Sequence, residues 1–234
     1  PKEDTHAARS IMEGQFNTLV IVSRLVTHSE SAVQGLVSSG VLLAVLNLLT
    51  AEDASTDQKR LAVNCVNNLS CNAAGESAFV SIGGMKQLVA MLSLGTERLE
   101  PWVKIFTAVN NFTVAPGSAG AFLNAGGMDA IMNCLTSSST TIRWAMVSAL
   151  VNFTQVTDHQ RFFWSAERMT VLLSAMEIGC NDARAALVGG WVAENDPYVE
   201  AMRSLRHLAV SMGNILLDTE GSSAFLSANG GAQV

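Results

Sequence analysis

Basic charge is scarce in this chain. Its 234 residues carry 14 Lys and Arg against 20 Asp and Glu, for a net charge of −6 and a pI near 5.2. Duplex nucleic acid is bound through a basic footprint that displaces counterions, so the chain as a whole is not built for that task. A local basic patch is still compatible with these totals. Long apolar runs are missing too: residues 40–49 form one of the longest, far short of the roughly 20 residues a membrane span requires. Nor does the sequence open with the basic, apolar and small-residue succession of a secretory signal.

The four cysteines, Cys65, Cys71, Cys134 and Cys180, form no Cys-x-x-Cys pair and have no histidines at matching spacing. Metal binding is therefore not expected, and reduced thiols in a cytoplasmic or nuclear protein are. Catalytic signatures are lacking as well. The sequence contains no phosphate-binding Gly-x-x-x-x-Gly-Lys loop, no Gly-x-Ser-x-Gly elbow and no His-Glu-x-x-His pair. Its histidines, His6, His28, His159 and His207, are dispersed, with His159 expected in a loop beside Asp158. No enzyme activity and no cofactor are expected.

What the chain does have is a recurring phrase. Val66-Asn67-Asn68-Leu69-Ser70 returns as Val109-Asn110-Asn111-Phe112-Thr113 and again as Leu150-Val151-Asn152-Phe153-Thr154. The central asparagines are 43 and then 41 residues apart, a period that marks a helical solenoid. Each asparagine also begins an N-x-S/T sequon. Because all three lie inside the same helical phrase, they read as by-products of the repeat rather than as glycosylation sites.

Around the phrase, each unit reads as three helices. In the second unit, Leu61, Cys65, Val66 and Leu69 form an apolar stripe over 58–71, and a short helix follows over 72–82. Gly83-Gly84 then breaks the chain, and Met85, Leu88, Val89 and Leu92 open an amphipathic helix. The third unit keeps that order over 102–114 and 118–125, with Gly126-Gly127 before Met128, Ile131, Met132 and Leu135. A first unit has Arg24 at the asparagine position and its corner at Gly40. In the fourth, Glu167-Arg168 replaces the glycine pair ahead of Met169, Leu172, Leu173 and Met176. A fifth shows Asn214 and Gly230-Gly231.

One interval is irregular: Asn152 to Asn214 spans 62 residues. The surplus lies in 179–196, where an extra short helix over 182–187 and then an exposed loop are expected. Trp191 follows Gly189-Gly190 in that loop and is a candidate partner contact, since insertions in solenoids gather on binding faces. The expected organisation is one repeat domain over 1–234, itself a fragment of a longer solenoid, with the 179–196 insertion between repeats.

These phrases and Gly-Gly-Met corners, in fixed order from about Phe16 to Gly231, resemble the armadillo repeat family of beta-catenin and importin-alpha. The resemblance implies an all-α, right-handed armadillo-type α-solenoid of about four to five three-helix repeats. It also implies a concave groove lined by the asparagine helices, where Asn68, Asn111 and Asn152, and less securely Asn214, hold the backbone of an extended ligand. A carboxamide suits that task because it both donates and accepts. The same amides could instead fasten neighbouring turns. Importin-alpha-like members carry tryptophan four residues before the asparagine; here those places hold Asn64, Thr107, Ser148 and Val210, so recognition of nuclear signals is disfavoured.

One turn further back lie Arg60, Lys104, Trp144, Arg206 and His207. Together with Asn64 they make a weakly basic, partly aromatic set of candidate partner contacts. The expected function is a protein–protein interaction scaffold that binds a partner protein or peptide segment. The alternatives are regulation of a small GTPase or of cytoskeletal assembly through a folded interface, and homo-oligomerisation through open solenoid ends.

Overall fold

The computed structural model describes residues 14, 17–27, 29–93, 103–188 and 197–228. Among them there is no strand. Helix α1 covers residues 17–25. It is followed by α2 (Glu30–Ser38), α3 (Val41–Asn47), α4 (Thr56–Leu69), α5 (Ala73–Ser81), α6 (Gly84–Ser93), α7 (Val103–Val114), α8 (Pro116–Asn124) and α9 (Gly127–Leu135). Then come α10 (Thr140–Thr154), α11 (Thr157–Gln160), a 3-10 turn at Arg161–Phe163, α12 (Ala166–Val188), α13 (Pro197–Leu216) and α14 (Thr219–Ala228). The asparagine helices are α4, α7, α10 and α13.

These elements gather into two compact units. One holds the described residues up to Phe112 together with Gly120–Ala125; the other holds Thr113–Ala119 and the described residues from Gly126 onward. In the first, α4 is started by a capping box, with Ser55 and Gln58 each bonding the other's backbone. Its apolar stripe is buried, Leu61, Cys65, Val66 and Leu69 all facing inward. Phe79 of α5 stacks on Phe112 of α7 with ring centroids 4.6 Å apart. In the second unit α12 packs along α13, and α10 lies against both α9 and α13. Phe153, Phe163, Leu150 and Ile215 fill this core.

The glycine pairs divide their work. Gly40, Gly83 and Gly126 adopt positive φ, 73°, 75° and 86°, which only glycine takes readily. Gly84 serves a different purpose: a Cβ there would lie 2.7 Å from the Phe79 ring. Where Glu167-Arg168 replaces the pair, a side chain holds the corner. Arg168 donates to the Phe162 carbonyl at 2.6 Å and to Asp129 at 3.4 Å, and its guanidinium sits 3.5 Å over the Phe162 ring.

A second glycine register accompanies the asparagines. Seven residues beyond Asn68, Asn111, Asn152 and Asn214 stand Gly75, Ser118, His159 and Gly221. A Cβ on Gly75 would lie 2.3 Å from the Leu69 carbonyl oxygen, and one on Gly221 2.1 Å from that of Ile215. The short helix therefore crosses directly over the end of the asparagine helix. In the fourth repeat the imidazole of His159 occupies that crossing, 5.5 Å from the Phe153 ring between centroids. The short helix is cut there to the four residues of α11 and a 3-10 turn. His159 thus lies in a helix, not in the loop expected from sequence.

The insertion also differs from expectation. No separate helix forms over 182–187, because α12 continues unbroken to Val188. Asp182 explains the continuity: it pairs with Arg143 of α10, whose side chain is only 8% exposed. That guanidinium also donates to the carbonyls of Ser137 and Ser138 and to the Thr140 hydroxyl. Residues 189–196, including Trp191, lie outside the described residues.

Replacing Gly75 with Ala should destabilise the fold by about 1–3 kcal/mol, since backbone must move to admit one methyl. Gly120→Ala, where nothing lies within 4 Å of the new carbon, should instead stabilise by about 0.5–1 kcal/mol. Chemical denaturation of both variants checks the pair; equal effects would contradict the crossing. Protonation gives another check. Burial pushes the His159 pKa below 6.5, with Asp158 opposing more weakly, so the unfolded chain binds the proton better. Stability should be full above about pH 6.5 and decline below it. His207, shifted the same way, adds to the decline. Thermal melts from pH 7.5 to 5.5 should show a smaller drop for His159→Gln than for the parent chain.

Candidate functional site

The half-buried asparagines are positioned by the helix pattern. The residue after each asparagine, Leu69, Phe112, Phe153 or Ile215, is drawn into the core, leaving the amide at the edge of the packed face. Each then donates backward to the preceding repeat. Asn68 Nδ2 lies 2.6 Å from the Ser23 carbonyl oxygen, and Asn111 Nδ2 lies 3.0 Å from Ser70 Oγ. In the second unit Asn152 Nδ2 meets Thr113 Oγ1 at 2.9 Å, and Asn214 Nδ2 meets Thr154 Oγ1 at 3.3 Å. The Ser70 and Thr154 hydroxyls pass their own protons to the carbonyls of Asn67 and Val151, so their oxygens face the incoming amide as acceptors.

The fastening role weighed from sequence is thus present in the structure. It was legible in one further detail, the Ser or Thr two residues after Asn68, Asn111 and Asn152. For Asn68, Asn111 and Asn214 the bonded atom is the nitrogen, and the amide oxygen is left as an acceptor. Stacking and ligand binding can therefore use different atoms of one side chain.

Of the other candidates in the first unit, two are brought together. Lys104 Nζ donates to Asn64 Oδ1 at 2.6 Å across 40 residues of sequence. The pair lies one helical turn from Asn68 and about two from Asn111 on α4 and α7. Lys104 has no ion pair among the described residues, so its charge is met by a neutral amide. Arg60 is different: it pairs with Asp57 at 2.9 Å one turn away, both groups more than half exposed. Such a pair contributes little, and Asp57 was not singled out from sequence.

In the second unit Trp144 is half-buried and lines a small recess with Arg143, Asp182, Ser204 and Leu208. Arg206 is exposed on α13 and does not line it. His207, beside it, has its pKa lowered by burial and then by Arg206 and Arg203. The thiols offer no reactive centre in the core. Burial pushes Cys65 up to about 12 and Cys134 to about 11, well away from the thiolate form. Cys71 is exposed, bonding the Asn67 carbonyl at 3.2 Å.

Comparison with protein-family models finds no match, and comparison with curated proteins finds none. Solved structures do match. A computationally designed armadillo repeat protein for modular peptide recognition aligns with TM-score 0.59 at 17% identity, over 94% of this chain and 87% of the other. The designed armadillo repeat protein YIII(Dq)4CqI gives 0.57 at 17%, over 91% and 81%. A related design in complex with the peptide (KR)4 gives 0.54 at 16%, over 92% and 91%. The chain has an all-α, armadillo-like repeat fold.

Changing Asn111 and Asn152 to Ala together removes the inter-repeat bonds to Ser70 Oγ in the first unit and Thr113 Oγ1 in the second, along with the longer contact of Asn111 with Cys71 Sγ. Each loss should lower stability by about 1 kcal/mol, and the two should add, since they share no partner. Urea titration of the single and double variants measures this; an unchanged midpoint would mean the bonds do not fasten the repeats.

Proposed function

We propose that this chain is a protein-interaction module that holds an extended, acidic segment of a partner along the asparagine helices α4 and α7 of the first unit. The observation that carries the reading is the Lys104–Asn64 bridge beside Asn68 and Asn111. An ammonium whose one hydrogen-bond partner among the described residues is an amide gains from a carboxylate, because a charge-assisted bond is stronger than a neutral one. The amide oxygens of Asn68 and Asn111 supply acceptors for the N–H groups of an extended backbone, which reads chain direction without reading side chains. Lys104 and Arg60 then bias the choice of side chain.

The fold supports the same reading. Three of its structural neighbours are armadillo designs, one described as made for peptide recognition and one seen with (KR)4. This chain inverts the charge preference. Its asparagine helices α4 and α7 expose Lys104 and Arg60 against the single carboxylate Asp57. In the second unit, α13 carries Arg206 without an ion pair among the described residues, while its Arg203 is paired with Glu200. A basic peptide meets like charge on these helices, whereas an acidic one does not.

The test uses fluorescence polarisation with an alternating Asp-Glu octapeptide, with (KR)4 and with an uncharged Gly-Ser peptide of equal length. The acidic peptide should bind most tightly and weaken as salt is raised. Lys104→Glu should raise its Kd roughly threefold to tenfold, or about 0.6–1.4 kcal/mol. Tighter binding of (KR)4, or a Kd indifferent to Lys104→Glu, would remove the proposal.

A further inference from the structure

Two bonds between α4 and α7 define a register. Asn111 reaches back 41 residues to Ser70, and Lys104 reaches back 40 to Asn64. Nearly equal steps of this kind arise only when the two helices run parallel. In the second unit Asn214 reaches back 60 residues to Thr154, the same place relative to Asn152 that Ser70 holds relative to Asn68. Helix α13 is therefore set against α10 as α7 is against α4. The residue seven before Asn214 is His207, and the residue four before Asn152 is Ser148. His207 takes the position of Lys104, and Ser148 that of Asn64. Both are half-buried, and the position lies between two helices of one unit.

The second unit thus has a titratable cation where the first has a permanent one. Burial, then Arg206 and Arg203, push the His207 pKa below 6.5, so the ring is mostly neutral near pH 7. No carboxylate offsets the two arginines at His207. Glu200 is drawn to Arg203. Arg143, the one charged residue of α10, is buried and paired with Asp182. The carboxylates of α12 and α14 do not act on the ring.

Hydrogen bonding adds a condition. The Ser148 hydroxyl donates to the Trp144 carbonyl at 3.4 Å, which leaves its oxygen as an acceptor for the imidazole beside it. A neutral imidazole has one N–H, whereas an imidazolium has two. With one nitrogen turned to Ser148, only the charged ring presents a second N–H outward. The Asn214 amide oxygen, not used by the inward bond through Nδ2, is an acceptor for backbone N–H groups, which a free anion lacks.

We infer that α10 and α13 form a second site for an acidic peptide segment, at His207, Ser148 and Asn214, and that it tightens when His207 is protonated. Bound carboxylates stabilise the imidazolium, so the peptide raises the His207 pKa and affinity rises as pH falls. The peptide's own carboxylates, with ordinary pKa values of about 4, stay ionised over the range in which His207 titrates. The site lies in the second unit and does not rest on Lys104.

Fluorescence polarisation with the alternating Asp-Glu octapeptide tests this, at fixed salt and with Lys104→Glu in place to silence the first unit. From about pH 7.5 to about 5.5, the Kd should fall roughly threefold to tenfold, with circular dichroism confirming a folded chain at both ends. His207→Arg should bind at the higher pH as tightly as the parent does at the lower. His207→Gln should lose the pH dependence, whereas His159→Gln should keep it. Nuclear magnetic resonance of the imidazole rings should show His207 titrating at higher pH once the peptide is saturating. A Kd unchanged with pH, a dependence that survives His207→Gln, or a His207 titration unmoved by the peptide would each overturn the inference. The effect of Lys104→Glu itself at the higher pH reports separately on the first unit.

Discussion

The structure depends on satisfying a carboxamide at the edge of a packed helix face. A half-buried asparagine without a partner would be costly, and each one described finds its partner in the repeat before it. The bond runs from Nδ2 to a serine or threonine hydroxyl, or in the first instance to the Ser23 backbone carbonyl. It constrains how far one helix can slide along the next, which apolar packing alone does loosely, because dispersion has no direction. The large residues that fill each unit, Phe79 on Phe112 in one and Phe153 beside His159 in the other, then have defined neighbours.

Fastening repeats does not exhaust the asparagines. An amide offers two hydrogens and an oxygen, and the inter-repeat bonds involve only the nitrogen in Asn68, Asn111 and Asn214. In the first unit, Asn68 and Asn111 stand on the same two helices that Lys104 and Asn64 bridge. The same side chains can thus hold a scaffold together and offer backbone-reading groups to a ligand, with side-chain preference set by a few cations. Changing such an asparagine has consequences for both folding and binding, so charge changes at Lys104 probe recognition more cleanly.

The fourth repeat shows how the pattern bends without breaking. With His159 at the close crossing, the short helix loses its regular course. With Glu167-Arg168 at the corner, the turn is held by Arg168 against Phe162 and Asp129. The helix that follows then extends to 23 residues and is anchored through Asp182 to the buried Arg143. Side-chain interactions substitute here for what small residues achieve in the other repeats. The buried guanidinium is tolerated because four partners share it.

Read alone, the sequence determined the repeat period, the identity of the asparagine helices, the corners at Gly40, Gly83 and Gly126, and the buried stripe of α4. These follow from short-range rules: apolar spacing along a helix and the few residues that tolerate positive φ. The tertiary structure alone decided which atom of each asparagine bonds, and that Lys104 meets Asn64 while Arg60 stays with Asp57. It also decided that α12 runs on through 182–187, where a separate short helix was expected, and that Gly75 and Gly221 are required for space rather than for flexibility. Each of these turns on distances of a few ångströms between segments some 40 residues apart, or on competition between two partners for one group. Neither is encoded in local propensity; both appear only when the helices have packed.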